Sequence, residues 1–397
     1  MLSNRQIFQM NMGLPSVVND PIEITHAKGI YLYDDHGNAY IDLVSGVSVS
    51  NIGHLHPHVV AAIKNQLDRY MHTMVYGKFV QAPQTLLANK LASLLPASLD
   101  SVYFVNSGSE AIEGALKLAK RITGRTGMIS FKNAYHGGTA GALSLLGHEG
   151  LKQAFRPLLP DTKQLEFNNI EQLEAINCHT ACVLIEPIQA EAGIILPEKG
   201  FLEALRKRCS DVGALLIFDE IQMGFGRTGS LFAFEQLGVI PDIVCLAKAM
   251  GGGMPLGAFI SSRQNMQTLT NRPELGHITT FGGHPVSCAA SLAALEILIN
   301  EKLIEQADNK GKRFEAVLLP IDIVKSIRRA GLMLGVELEA EVPIGKLLKH
   351  LQKHKLIVDQ FLFHEHALRI APPLTITEKE ITEVIDMLME ALKTFEY

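Results

Sequence analysis

The chain has 397 residues, of which 47% are hydrophobic and 19% charged, with a formal net charge of -5. It is too apolar for a disordered chain, long enough for two or three domains, and too mildly acidic to offer nucleic acid a cationic face. No apolar run approaches the ~20 residues that span a bilayer, and Met1 to Gln6 lack the charged-then-apolar order of a signal peptide, so a soluble cytoplasmic protein with neither membrane nor nucleic-acid partner is expected.

In chain order, Gly29-Ile30-Tyr31-Leu32-Tyr33-Asp34 and Ala39-Tyr40-Ile41-Asp42-Leu43 flank a His36-Gly37-Asn38 turn, and their alternation predicts a β-hairpin. An amphipathic helix is predicted over 59–70. His54, His56 and His58 alternate just before it, but imidazoles need a third convergent ligand and Pro57 interrupts the run, so a metal is not expected there. From 102 to about 262 the pattern changes to runs that are apolar throughout: 102–105, 128–131, 181–185, 214–218, 243–246 and 257–260. Such strands are buried on both faces, which predicts an α/β domain with a mostly parallel sheet and a ligand beyond the carboxyl ends of its strands. A helical stretch over 285–319 leads to short strands at 334–338 and 368–370 and to a helix opened by a Thr377/Glu380 capping box, a smaller α/β domain. The cysteines, Cys178, Cys182, Cys209, Cys245 and Cys288, are odd in number, sit in apolar surroundings and form no C-x-x-C pair, so reduced, buried thiols are expected.

The residues just past the strands carry the chemistry. Asn106-Ser107-Gly108-Ser109-Glu110-Ala111 opens a helix whose N–H groups and hydroxyls can cradle a phosphate at Gly108 and Ser109; an N-cap with no ligand explains the same residues equally well. Tyr135, in Asn133-Ala134-Tyr135-His136-Gly137-Gly138-Thr139, is placed to stack on a flat ligand or to pack in the core. Glu186 and Glu191 follow the 181–185 strand. Asp219 emerges from a wholly apolar strand, where a carboxylate needs a cationic or N–H partner. Lys248 stands just after the 243–246 strand and before Gly251-Gly252-Gly253-Met254-Pro255-Leu256-Gly257. If shielded there it favours the free amine, a nucleophile toward carbonyls, whereas a lone lysine at a strand end more commonly reaches solvent. Gly224-Phe225-Gly226-Arg227-Thr228-Gly229 fits G-x-G-x-x-G, but Asp219 to Gln222 intervene between strand and glycines, no long helix clearly opens at Gly229 and the motif sits mid-chain, all of which argue against a dinucleotide site. A phosphate cradle, a stacking ring, a buried carboxylate and an amine together suit pyridoxal phosphate (PLP), which needs a phosphate site, a lysine for its aldehyde and a carboxylate for its pyridine nitrogen.

With these motifs in this order, from Gly53-His54 and His56-Pro57 to the Arg369 region, the chain resembles the class III PLP-dependent aminotransferases, and among them the acetylornithine and ornithine branch. The resemblance implies a fold-type I transferase, with a mostly parallel seven-stranded sheet in a large PLP-binding domain at 51–285. An N-terminal segment, 1–50, would pack with a smaller α/β C-terminal domain at 286–397. The resemblance also implies that Lys248 holds the cofactor aldehyde and shuttles the substrate proton, that Asp219 bonds the pyridine nitrogen, and that Gln222 approaches the ring hydroxyl. Tyr135 would stack on the ring while Gly108 and Ser109 hold the phosphate. Thr280, in His277-Ile278-Thr279-Thr280-Phe281-Gly282-Gly283-His284-Pro285, would reach the phosphate of a neighbouring subunit, which implies a homodimer with shared active sites. Arg369 would grip the α-carboxylate of 2-oxoglutarate, Glu191 would mask it while the amine donor is bound, and Glu186 would be structural.

The implied reaction is a ping-pong transfer of the terminal amine of an ω-amino acid, of the acetylornithine or ornithine type, to 2-oxoglutarate, giving a semialdehyde and glutamate. Two positions depart from that branch: Gly138 stands where an arginine is usual, and Val47 where ornithine enzymes carry a tyrosine. Ornithine, 4-aminobutyrate, another ω-amino acid or a diamine therefore stay open as donors. A 2,1-aminomutase or a decarboxylase is the competing class, and an intramolecular aminomutase would have no need of Arg369.

Overall fold

The structure is a computed structural model describing residues 2–18 and 21–396. The apolar runs become one seven-stranded sheet in the order Ser101–Val105, Gly257–Ser261, Ile243–Leu246, Leu215–Asp219, Thr180–Ile185, Gly127–Phe131, Thr162–Leu165. Gly257–Ser261 runs antiparallel to both neighbours and the remaining pairs are parallel. The unbroken hydrophobicity has a direct cause. In Thr180–Ile185, Cys182 and Leu184 pack with Ala111, Ala115 and Leu118 of the helix Gly108–Thr123, while Val183 and Ile185 pack on the opposite face with Phe201 and Leu205 of Phe201–Val212. Each large aliphatic side chain so buried contributes about 1.5–3 kcal/mol.

Six strands coincide with the predicted runs. The seventh, Thr162–Leu165, was not among them: it is an edge strand, Thr-Lys-Gln-Leu, paired on one side only, so it has no need of an apolar run. The single helical stretch expected over 285–319 is two helices, Pro285–Asn300 and Leu303–Leu318, because Lys302 adopts a left-handed φ of 52° and turns the chain between them. The thiol expectation also needs correction. Cys182, Cys209, Cys245 and Cys288 are buried, but Cys178, in the loop before Thr180–Ile185, is exposed. Among the described residues no helix is long and apolar enough to cross a membrane.

The C-terminal part carries an antiparallel four-stranded sheet in the order Val324–Ala330, Met333–Leu338, Ala367–Ile370, Asp359–Gln360. A further sheet holds the predicted hairpin, Tyr31–Asp34 with Ala39–Asp42, flanked by Ile24–Lys28 on one side and by Leu356–Ile357, parallel to Ala39–Asp42, on the other. The hairpin turn is fastened by the Asp34 carboxylate, which accepts the N–H groups of His36 and Asn38 at 2.9 and 2.8 Å.

Glu220, 0% exposed, supports the loop beyond Leu215–Asp219 by accepting the N–H groups of Ala233 and Phe234 at 2.9 and 2.8 Å, the first turn of Ala233–Leu237. Glu220→Ala leaves both donors buried without a partner and is expected to lower stability by about 2 kcal/mol or more. Urea unfolding checks this, and an unchanged midpoint would show that the loop finds other acceptors.

Candidate active site

The parallel strands end on one edge of the sheet, and a cavity of about 410 Å³ opens there, with Gly108, Ser109, Tyr135, Asp219, Gln222 and Lys248 in its wall. Residues far apart in the chain meet because each lies at or just past the carboxyl end of a strand. Lys248 follows Ile243–Leu246 in a left-handed conformation, φ 49°, which costs a non-glycine residue about 1–2 kcal/mol. Its Nζ donates to Gln222 Oε1 at 2.7 Å. Burial of the amine pushes its pKa down to about 8, with Glu191 opposing the shift and Arg369 adding to it.

Asp219, the last residue of its strand, is buried and doubly held: Oδ2 lies 2.8 Å from His136 Nδ1, and Oδ1 accepts Ile221 N–H at 3.0 Å. Glu186 is buried close by and accepts the N–H groups of Tyr135 and Ala190, each at 2.9 Å, which ties the Tyr135 loop to the loop carrying Glu191. Burial pushes its carboxyl up to about 7 against the pull of His136. At the helix start, Ser107 caps Gly108–Thr123 by accepting Glu110 N–H at 3.2 Å, and Ser109 Oγ accepts Gly138 N–H at 3.3 Å. Gly137, with φ 129°, packs so close to Ser109 that a Cβ there would strike its side chain, so only glycine lets this loop meet the helix terminus.

Arg369, 2% exposed in the strand Ala367–Ile370, forms a fork-to-fork pair with Glu191: Nη1 to Oε1 at 2.6 Å and Nη2 to Oε2 at 3.1 Å. Burial opposes a charge on Glu191, but the guanidinium outweighs it and holds the carboxyl below its usual range. Gly335 lies opposite Arg369 on the neighbouring strand; a Cβ there would come within 2.8 Å of the Gly193 carbonyl, so its absence lets the Glu191 loop ride over this sheet. Arg369 and Glu191 do not line the 410 Å³ cavity. They lie close enough for their charges to act on Lys248.

The remaining predicted positions fall outside the cavity wall. Thr280 is exposed, and its carbonyl accepts from His72 Nε2 at 2.9 Å. Gly138 is exposed, with nothing within 4 Å of where a Cβ would stand. Val47 belongs to a run of left-handed residues, Ser45 to Ser48, with φ between 55° and 61°. Asp42 Oδ1 holds that run by accepting Val44 and Ser45 N–H at 2.9 and 2.7 Å, and Ser45 Oγ ties it to the Ala371 carbonyl at 2.7 Å. The three alternating histidines go separate ways, His54 to Asp42, His56 to Glu301 and His58 to Glu296.

Three further residues shape this region. His136 grips Asp219; its place directly after Tyr135 was the available signal. Asp359 bonds Arg369 Nε at 3.0 Å, a contact set by strand register that no sequence motif marks. Arg227, inside the G-x-G-x-x-G match and 0% exposed, donates from Nη1 to the carbonyls of Leu332 and Pro372 at 2.9 and 2.7 Å and from Nη2 to Asn51 Oδ1 at 2.5 Å. That motif is therefore a fastening between the large sheet and the Arg369 strand, and the next helix, Ala233–Leu237, has only 5 residues.

The fit of this cavity to PLP can be judged from its own atoms. The amine of Lys248 and the buried carboxylate of Asp219 share one wall, and the N-terminus of a 16-residue helix offers N–H groups at Gly108 and Ser109. Gln222 Nε2 is a buried donor with no partner, ready for a ligand oxygen. The residues fit the group.

Fold and site together define a PLP-dependent enzyme of fold type I. The chain belongs to the class-III aminotransferase family, whose profile matches residues 14–392, and PLP is its cofactor. It is 40% identical over 376 residues to the acetylornithine aminotransferase of Methanopyrus kandleri, covering 94% of this chain and 95% of that one. It is 36% identical over 380 residues to a [LysW]-aminoadipate semialdehyde/glutamate semialdehyde transaminase of Sulfolobus acidocaldarius, covering 94% and 96%. The ornithine aminotransferase of Toxoplasma gondii, with PLP at partial occupancy in its active site, superposes with a TM-score of 0.90 at 28% identity, covering 98% of this chain and 94% of that one. The protein is thus an aminotransferase that works on an amine donor and a keto acid.

Proposed function

We propose that this aminotransferase moves the terminal amine of an ω-amino acid, of the acetylornithine or ornithine type, to 2-oxoglutarate in a ping-pong cycle, releasing a semialdehyde and glutamate. The Arg369–Glu191 pair beside the Lys248 cavity carries this reading. A guanidinium fork occupied by a carboxylate on a loop suits an enzyme that must bind a second substrate's carboxylate and otherwise keep that charge covered. The identity of 40% to an acetylornithine aminotransferase supports the donor class.

PLP, when bound, supplies the electron sink that makes the substrate C–H bond acidic. Lys248 would hold the cofactor aldehyde, and its amine, whose hold on a proton burial weakens, would move the proton released from the substrate carbon. Asp219, its carboxylate oriented by His136 and Ile221, balances positive charge at the pyridine nitrogen. Gln222 turns its unpartnered Nε2 to the ring hydroxyl, Tyr135 covers the ring against water, and Gly108 and Ser109 bind the phosphate. Glu191 screens Arg369 while the donor reacts and yields it to 2-oxoglutarate. Thr280, exposed and outside its own chain's cavity, serves the phosphate site of a second subunit, so the working unit is a homodimer with shared sites. The chain divides into an N-terminal segment, 1–50, a large PLP-binding domain, 51–285, and a small domain, 286–397. The pairing of Leu356–Ile357 with Ala39–Asp42 supports grouping the first with the last. A cytoplasmic setting suits its free thiols.

Gly138 keeps a second reading in play. With no side chain at this exposed position, a diamine, which carries no carboxylate, gives up nothing there, and ornithine and 4-aminobutyrate stay in the comparison. A panel of N-acetylornithine, ornithine, 4-aminobutyrate and putrescine with 2-oxoglutarate tests both. Glutamate with parallel double-reciprocal plots is expected for at least one donor, and no glutamate from any would overturn the acceptor assignment.

The state of Lys248 makes a separate prediction. Its free-amine form grows as pH rises toward about 8, so the rate at which PLP-free protein takes up the cofactor should rise about tenfold per pH unit below that value and level off above it. Stopped-flow absorbance measures this. A rate still climbing toward the ordinary lysine value of 10.5 would show that the amine is not depressed by burial.

A further inference from the structure

Arg369 has a second carboxylate, on the other edge of its guanidinium. Asp359 and Arg369 are directly opposed across the antiparallel pair of Asp359–Gln360 and Ala367–Ile370, so both side chains rise from the same face and the register sets their separation. Asp359 Oδ1 accepts the Nε–H at 3.0 Å, the Gln360 carbonyl accepts from Nη2 at 3.2 Å, and the Phe361 ring lies 4.9 Å from the guanidinium carbon. Glu191 takes the Nη1–Nη2 edge. One edge of the guanidinium is thus held from a loop, the other from within a sheet.

We propose that Asp359 is a positioning residue for the keto-acid substrate: it anchors Arg369 by Nε, so that the Nη1–Nη2 fork stays aimed at the site when Glu191 gives way to the incoming carboxylate. This rests on the Glu191–Arg369 exchange read above. Bidentate recognition needs both N–H vectors in place, and an arginine whose only carboxylate partner departs is free to follow it or to re-seat on its long side chain. The Phe361 ring limits motion out of the guanidinium plane, whereas the Nε bond limits rotation within it. Asp359 also shares the guanidinium charge, so Glu191 is held less firmly than it would be by an arginine with no other anion. Burial pushes the Asp359 carboxyl up to about 6, against the pull of Arg369 and with Glu191 and Asp42 adding to the rise; above that pH it is an anion.

The test uses the PLP-loaded enzyme and follows the two half-reactions separately by absorbance, the amine donor converting the pyridoxal form and 2-oxoglutarate converting the pyridoxamine form. Asp359→Ala is expected to raise KM for 2-oxoglutarate about tenfold or more while kcat falls no more than about twofold, with the donor half-reaction shifting by a smaller factor. Asp359→Asn, which keeps an oxygen for Nε–H, should recover most of the affinity. Asp359→Ser, whose side chain is too short to reach Nε, should reproduce the split and carries the test if the alanine variant does not fold. Equal losses in both half-reactions, or no recovery with asparagine, would overturn the positioning role. Arg369→Lys separates the two ideas. If it spares the 2-oxoglutarate half-reaction, the carboxylate-site reading fails; if it abolishes that half-reaction while Asp359→Ala does not disturb it, only the Asp359 inference fails.

Discussion

Lys248→Ala is expected to lower turnover by about ten-thousand-fold, at the upper end of what one acid–base side chain supplies, while the protein stays folded. The chemistry needs an amine that is neutral, mobile and inside the cavity. Burial that lowers the Lys248 pKa to about 8 enlarges its neutral fraction, and a single 2.7 Å hydrogen bond to Gln222 leaves it able to move. Among the described residues no other lysine lines the cavity to take over the proton. The substitution keeps the Cβ at this left-handed backbone position and leaves the Asp219–His136 contact and the Gly108 helix terminus in place, so circular dichroism should be unchanged. Transamination retained at more than about one part in a hundred would rule out Lys248 as the proton carrier.

Asp219→Asn is expected to reduce kcat/KM by about 100- to 1000-fold with both substrates alike. Its carboxylate is buried at the end of an apolar strand, where a fixed negative charge acts through a low dielectric. The amide keeps the shape and a hydrogen bond to Ile221 N–H while losing that charge. The same factor in both half-reactions is the signature of a residue acting on the cofactor, in contrast to Arg369 and Asp359, whose effects should fall on the keto acid. An unaffected rate would show that Asp219 is not the pyridine partner.

Five of the apolar strands were legible because burial on both faces leaves little room for a polar side chain; at the two edges of the sheet, half-buried Ser101–Val105 kept an apolar run and Thr162–Leu165 did not. The reversed direction of Gly257–Ser261 left no mark either, since composition says nothing about strand polarity. At the site, Gly108, Ser109, Tyr135, Asp219 and Lys248 were singled out by their position at strand ends and Gln222 by the family resemblance, and the structure brings all six to one cavity. The G-x-G-x-x-G match shows the limit of local motifs: its arginine is taken up by carbonyls beside the strands of another sheet.

By itself, the sequence determined the α/β class, the class III aminotransferase resemblance and the residues able to handle PLP, because strand periodicity and the chemistry after each strand are local properties. The tertiary structure alone decided how those residues are held. His136 meets Asp219 across 83 positions, and Asp359 reaches Arg369 only through cross-strand register. Such contacts depend on chain segments packing together, and packing is a property of the whole fold.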